Sequence, residues 1–140
     1  MENTVRERMW AAIEEFVDIV FMNEEESKAL AGTDDLDAAL AEVADVVDTV
    51  VMKLGRRGSV VMHKGERFEV GVFPVDAVDT TGAGDAYAAG FLYGYIHGWD
   101  PRRSAELGAR VASMTVGQLG AVVRDQKRMR AAIAATTAGV

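Results

Sequence analysis

Two short β-branched runs constrain this 140-residue chain more than any other feature. Val17–Met22 (VDIVFM) and Thr49–Gly55 (TVVMKLG) each read as a buried strand, because the apolar run is continuous and too short for a helix. Two helical patterns lie between them. NEEESKALAG is a short helix stopped by Gly32, and DDLDAALAEVADVV carries Leu36, Leu40, Val43 and Val47 on one face. After the second run, RRG makes a turn, and SVVMHKG and ERFEVGVFPV read as strands joined at Lys64-Gly65. Two helices follow. The order strand, helix, helix, strand, hairpin, helix, helix is that of an α/β domain with a mostly parallel sheet and helices on both faces. Ligands of such sheets sit beyond the carboxyl ends of the strands. The turns at Asn23 and Gly55 lie at those ends.

The chain opens with another helical pattern, Val5, Met9, Ala12/Ile13 and Phe16, with Asn3 or Thr4 as the expected N-cap. Near the other end, Asp100 and Pro101 supply an N-cap and a first helical residue. The small residues that follow predict a closely packed, buried helix. RDQKRMRAAIAATTAGV is a final helix. With only 2 prolines and no low-complexity linker, residues 1–140 are expected to form one domain portion.

Composition removes several function classes. The net charge of −7 argues against nucleic acid as a partner, since phosphate backbones need basic patches. There are no cysteines, so disulfides and Cys-ligated zinc are excluded. His63 and His97 stand far apart, match no zinc pattern and are expected to be structural. No apolar run is long enough to span a membrane, and the start MENTVRERMW lacks a signal-peptide core. The expectation is a cytoplasmic protein.

The stretch DAVDTTGAGDAYAAGFLYGYIHG, residues 76–98, turns from small and acidic residues into a helical pattern. Gly82–Asp85 should form the first turn of that helix. The first N–H groups of a helix lack internal partners, and the dipole adds positive potential. Gly82, Ala83 and Gly84 leave the backbone bare, so an anion can reach it. A carboxylate at Asp85 is more often an ordinary acidic residue of a first turn. Beside a held phosphoryl group it has a second use, taking the proton of an attacking hydroxyl. The stretch is neither a P-loop nor a dinucleotide fingerprint, since no GxxxxGK[ST] occurs and Tyr87 stands where a third glycine belongs. Tyr87, Phe91 and Tyr95 follow at four-residue steps and read as core.

DTTGAGDAYAAGF resembles the C-terminal signature of the pfkB, or ribokinase-like, carbohydrate kinases. The resemblance implies a three-layer α/β/α fold and ATP-dependent phosphoryl transfer to a hydroxyl of a sugar or nucleoside. It implies Asp85 as catalytic base and Gly82, Ala83 and Gly84 as an anion hole. It also implies that Asp79 and Thr81 help to hold a monovalent cation such as K⁺.

Three further segments fit the same resemblance. Asn23 and Glu26 match an Asn-x-x-Glu motif tied to Mg²⁺ and phosphate, with the metal reached through water. The pair also reads as a helix capping box, and both roles can hold together. KLGRRG matches a nucleotide turn in which Gly55 and Gly58 pass close to ATP and Lys53 offers charge, although Gly-x-x-Gly alone is an ordinary β-turn. GQLGA, around Gly120, resembles the segment that closes the nucleotide site. Arg56 and Arg57 read as solvated.

Complete members of that family are about twice this length. Their N-terminal half carries further strands, a small β lid and the sugar-binding residues, and none of these is visible here. The resemblance therefore implies a C-terminal portion, a fragment expected to be inactive alone. Its exposed sheet edge should favour self-association or pairing with the missing part. A non-catalytic nucleotide-binding or interaction module is the alternative reading, and the Asp85 carboxylate argues against it.

Overall fold

The computed structural model describes residues 2–73, 82–118, 120 and 123–138. Helix α1 spans Asn3–Phe16, β1 Ile19–Asn23, α2 Glu24–Ala31, α3 Leu36–Ala44 and β2 Thr49–Lys53. A single 3₁₀ turn, Gly55–Arg57, leads to β3 Ser59–His63 and β4 Glu66–Val70. Helices α4 Ala83–Ile96, α5 Pro101–Val116 and α6 Gln126–Ala138 follow. The chain divides into two compact units. One comprises Met1–Gly55 and Ser59–Glu69, and the other Arg56–Gly58 and Val70–Val140.

The first unit is an α/β layer. Its four-stranded sheet has the order β1-β2-β3-β4. Strands β1 and β2 pair in parallel, and β2 and β3 pair antiparallel, so the sheet is mixed. Strand β2 is central, and Val50, Val51 and Met52 are all fully buried. That is why its sequence is apolar without alternation. The core gathers Ile13, Met22, Leu30, Leu40 and Val43 around Val50 and Met52. Helix α1 is held to this core by the Trp10 indole N–H, which donates to the Leu30 carbonyl at 2.9 Å.

Local signals set most of the boundaries. Gly32 takes a left-handed conformation and its N–H closes the end of α2 on the Lys28 carbonyl. Asp35 caps α3 by accepting from the N–H groups of Asp37 and Ala38. Lys64 and Gly65 both have positive φ, 47° and 87°. Two such residues match the right-handed twist of a hairpin, so the β3–β4 connection is tight. Several boundaries differ from the sequence reading: β1 begins at Ile19, β2 ends at Lys53, and α3 ends at Ala44, which leaves Val47 beyond the helix. Helix α1 begins at Asn3 with Glu2 as N-cap and no side-chain cap bond, so Asn3 and Thr4 sit inside the helix. Strand β4 ends at Val70, and residues 71–73 do not extend it.

The second unit is helical. Asp100 caps α5 through the Arg103 N–H, and Pro101 occupies its first turn. Helices α4 and α5 pack face to face, and glycine makes the approach possible. A Cβ on Gly90 would lie 2.8 Å from the Gly108 Cα, and one on Gly108 would lie 2.8 Å from the Tyr87 carbonyl oxygen. Helix α6 covers Leu107 and Val111 with Met129 and Ile133. Tyr87 and Phe91 are buried, whereas Tyr95 is 44% exposed, which corrects the expectation that all three are core. The cause is helical drift. Each four-residue step turns about 40° past one full circle, so the third ring leaves the buried face.

Candidate functional site

In the first unit, the candidate residues collect at the carboxyl ends of β1 and β2. Asn23 is at once the last residue of β1 and the N-cap of α2. Its side-chain oxygen accepts from the Glu26 N–H at 2.8 Å, and the Glu26 carboxylate accepts from the Asn23 N–H at 2.8 Å. This is a complete capping box. It occupies one Glu26 carboxylate oxygen, Oε2, and both side chains remain exposed. The second oxygen has no partner among the described residues. Lys53, half-buried, ends β2 and is the register partner of Asn23. Sequence spacing could not reveal that adjacency, because 30 residues separate the two positions.

The turn after β2 needs glycine for two different reasons. Gly55 has φ +59°, and a Cβ there would meet nothing within 4 Å. Its outer face is open, as a ligand-facing backbone requires. Gly58 has φ +89°, and a Cβ there would fall 2.1 Å from the Val70 carbonyl oxygen. Gly58 is therefore already explained by packing. Arg56 and Arg57 are exposed.

In the second unit, Gly82 is the N-cap of α4, with φ 75° and ψ 6° in the left-handed region. A residue with a Cβ is strained there. The helix begins at Ala83, and the Ala86 N–H closes the first turn on the Gly82 carbonyl at 2.9 Å. The N–H groups of Ala83, Gly84 and Asp85 precede that bond and have no carbonyl partner within the helix. Gly82, as the N-cap, offers them no side-chain acceptor. Asp85 sits in this first turn and is exposed. Gly120 has φ +92°, and a Cβ there would meet nothing within 4 Å among the described residues. Asp79 and Thr81 lie outside the described residues.

Among the described residues no group of three or more His, Asp or Glu side chains gathers to hold a metal. A Mg²⁺ at Asn23 and Glu26 would thus keep most of its ligands as water, which suits an ion that dehydrates reluctantly. No described helix is long and apolar enough to cross a membrane. His63 bonds Thr49 Oγ1 through Nδ1 at 2.8 Å, and His97 Nδ1 lies 2.7 Å from the Tyr93 carbonyl oxygen. Neither joins the candidate residues.

The signature of the pfkB family carbohydrate kinases matches residues 2–128, and the chain belongs to that family. It is 47% identical over 68 residues to a 5-dehydro-2-deoxygluconokinase of Geobacillus thermodenitrificans, covering 48% of this chain and 20% of the relative. It is 33% identical over 113 residues to a nucleoside kinase of Methanocaldococcus jannaschii, covering 80% of this chain and 37% of the relative. The solved adenosine kinase of Sinorhizobium meliloti superposes with a TM-score of 0.87 at 38% identity, over 94% of this chain and 41% of that one. Arabidopsis thaliana ribokinase, complexed with ribose and ATP, superposes at 0.78 with 29% identity over 86% of this chain and 42% of that one. A fructokinase variant of Vibrio cholerae, bound to fructose, ADP and potassium ion, superposes at 0.77 with 27% identity over 96% and 44%. The fold is thus ribokinase-like, and the relatives are sugar and nucleoside kinases. The chain spans 20% of the length of the gluconokinase relative and 37% of that of the nucleoside kinase relative.

Proposed function

We propose that this chain supplies the ATP site and catalytic base of a cytoplasmic kinase that phosphorylates a hydroxyl of a sugar or nucleoside. The observation that carries the reading is the start of α4. A left-handed glycine opens a helix and gives its first N–H groups no side-chain cap, and an exposed carboxylate shares the same turn. The Asp85 carboxylate accepts the proton of the substrate hydroxyl as its oxygen bonds to the γ-phosphorus, and the bond to the ADP oxygen breaks. The bare backbone of Gly82, Ala83 and Gly84 forms the anion hole, with N–H groups donating to the transferring oxygens. When bound, Mg²⁺ neutralises charge on the phosphates. Glu26, oriented by the cap it shares with Asn23, would hold such an ion through water. Lys53 is assigned to offer charge to the nucleotide phosphates, Gly55 and Gly58 to the nucleotide turn, and Gly120 to the segment that closes it. Asp79 and Thr81 are assigned to a monovalent cation, in keeping with the potassium of the fructokinase relative.

The test is Asp85→Asn in the complete, active kinase. The expected result is a fall in kcat of about 10²–10⁴-fold with ATP affinity little changed. Undiminished turnover would remove Asp85 from the chemistry. Because the chain spans 20% of the gluconokinase relative and 37% of the nucleoside kinase relative, we expect little or no turnover from it alone. Robust phosphorylation of any sugar or nucleoside by the purified chain would overturn that expectation.

A further inference from the structure

The first turn of α4 closes on the Gly82 carbonyl through the Ala86 N–H. Gly82 brings no side chain to brace that turn. The exposed Asp85 carboxylate has no hydrogen-bond or ion-pair partner among the described residues. What fixes the aim of the turn begins one residue further on, where α4 meets α5.

Ala86 packs against Leu107 and Val111, which are both buried. Tyr87, buried beside it, backs onto Gly108. A Cβ on Gly108 would lie 2.8 Å from the Tyr87 carbonyl oxygen and 3.1 Å and 3.2 Å from the Cδ1 and Cε1 of its ring. Helix α5 thus grips the two residues that follow Asp85. The carbonyl and the ring both belong to a buried residue, so neither yields without moving the start of α4. Interiors packed this closely are stiff and transmit such a displacement. The far end of the seam is different. There Gly94 meets Ser104, with a Cβ 2.5 Å from Oγ and 3.0 Å from Cα. Gly94 lies nine residues past Asp85, which is about 14 Å along the helix.

We propose that Gly108 is a positioning residue for phosphoryl transfer. Its missing side chain lets α5 seat Tyr87, and through Tyr87 it holds the Asp85 carboxylate and the Ala83–Asp85 N–H groups at the reacting position. The inference rests on the reading of α4 as the site of phosphoryl transfer, and it adds a residue 23 positions from Asp85 in the chain. Gly108 acts through Tyr87 and not on the reactants. Its effect is one of geometry, since a misplacement of about 1 Å costs up to about 10²-fold in rate. The contacts at stake are made fully only in the transition state, so the loss falls on kcat and spares KM.

The experiment compares Gly108→Ala with Gly94→Ala in the complete kinase, with Asp85→Asn alongside. Both alanines crowd the same seam, so Gly94→Ala is the control for a loss of packing. Gly108→Ala should lower kcat by about ten- to a hundredfold, with KM for ATP changed by less than about twofold. Gly94→Ala should keep kcat near that of the parent. In the ¹⁵N-labelled protein, the Ala83, Gly84 and Asp85 amide resonances should move further in Gly108→Ala than in Gly94→Ala. Where Gly108→Ala does not fold, Val111→Ala loosens the same grip by removing two methyl groups from against Ala86, and it should lower kcat with KM for ATP held. Equal kcat losses in Gly108→Ala and Gly94→Ala would overturn the proposal. So would parental kcat in Gly108→Ala, or in Val111→Ala where that variant takes its place. An inactive Asp85→Asn beside a fully active Gly108→Ala would overturn this inference alone, whereas an active Asp85→Asn would remove the reading on which it rests.

Discussion

Asn23 and Lys53 are register partners at the carboxyl ends of the parallel strands β1 and β2. Neighbouring strands lie about 4.8 Å apart, so the cap of α2 and the lysine before the Gly55 turn share one edge of the sheet. Edges of this kind are where open α/β sheets receive ligands. The arrangement separates two roles for Glu26. Asn23→Ala removes the acceptor of the Glu26 N–H and should cost about 1 kcal/mol, read as a lowered midpoint in urea. Glu26→Gln retains an oxygen for the Asn23 N–H, so stability should stay near that of the parent. In the complete kinase the same variant should raise the Mg²⁺ concentration needed for half-maximal rate. A stability loss as large as that of Asn23→Ala, with no change in Mg²⁺ dependence, would leave Glu26 as a cap only.

Gly55 and Gly58 make a second contrast. Alanine at Gly58 meets both a left-handed backbone and a carbonyl oxygen 2.1 Å from its Cβ. The backbone must move, and a loss of about 2–4 kcal/mol is expected from strain and overpacking together. Alanine at Gly55 meets open space and carries only the left-handed penalty, about 1–2 kcal/mol. Denaturation should rank the two in that order. Nucleotide titration should rank them in reverse once corrected for folding, because only Gly55 presents an open face.

Much of this was legible in the chain because it is local. Gly32, Lys64-Gly65, Asp100 and Pro101 act on residues within four positions of themselves, and each stops or starts an element as read. The start of α4 belongs to the same class, with Gly82 moved outside the helix as its left-handed cap. What escaped was tertiary. The contact of Gly58 with Val70, the pairing of Asn23 with Lys53 and the stacking of Arg110 on Phe73 all join residues distant in sequence. The exposure of Tyr95 was in principle readable, since two four-residue steps overrun the helical repeat.

The seam between α4 and α5 should be intolerant of single methyl groups. Gly90→Ala and Gly108→Ala each place a Cβ 2.8 Å from backbone atoms that cannot rotate away. Each should cost about 1–3 kcal/mol by overpacking. The double variant should lose less than the sum, since the first methyl already separates the helices and makes room for the second. Additive losses in chemical denaturation would mean that the helices bend locally at each site instead of moving apart.

Helix α1 carries the last prediction. Val5, Met9 and Phe16 are 48%, 42% and 76% exposed. At about 100° per residue they fall within about 40° of one another and form a single apolar stripe. Beside it, Ile13 is buried and Trp10 is bonded to Leu30, so the helix is docked by one face and bare on the next. Strand β1 is also terminal in the sheet order, which leaves one side of its backbone unpaired among the described strands. A second copy of the chain, offering the same stripe and edge, would remove both from water. Sedimentation velocity over a concentration series should therefore show reversible self-association, and Phe16→Glu should shift the series towards monomer. The substitution is on an exposed side chain, so the folded state should lose less than about 0.5 kcal/mol. A parent chain that stays monomeric throughout would show that the stripe and edge do not drive association.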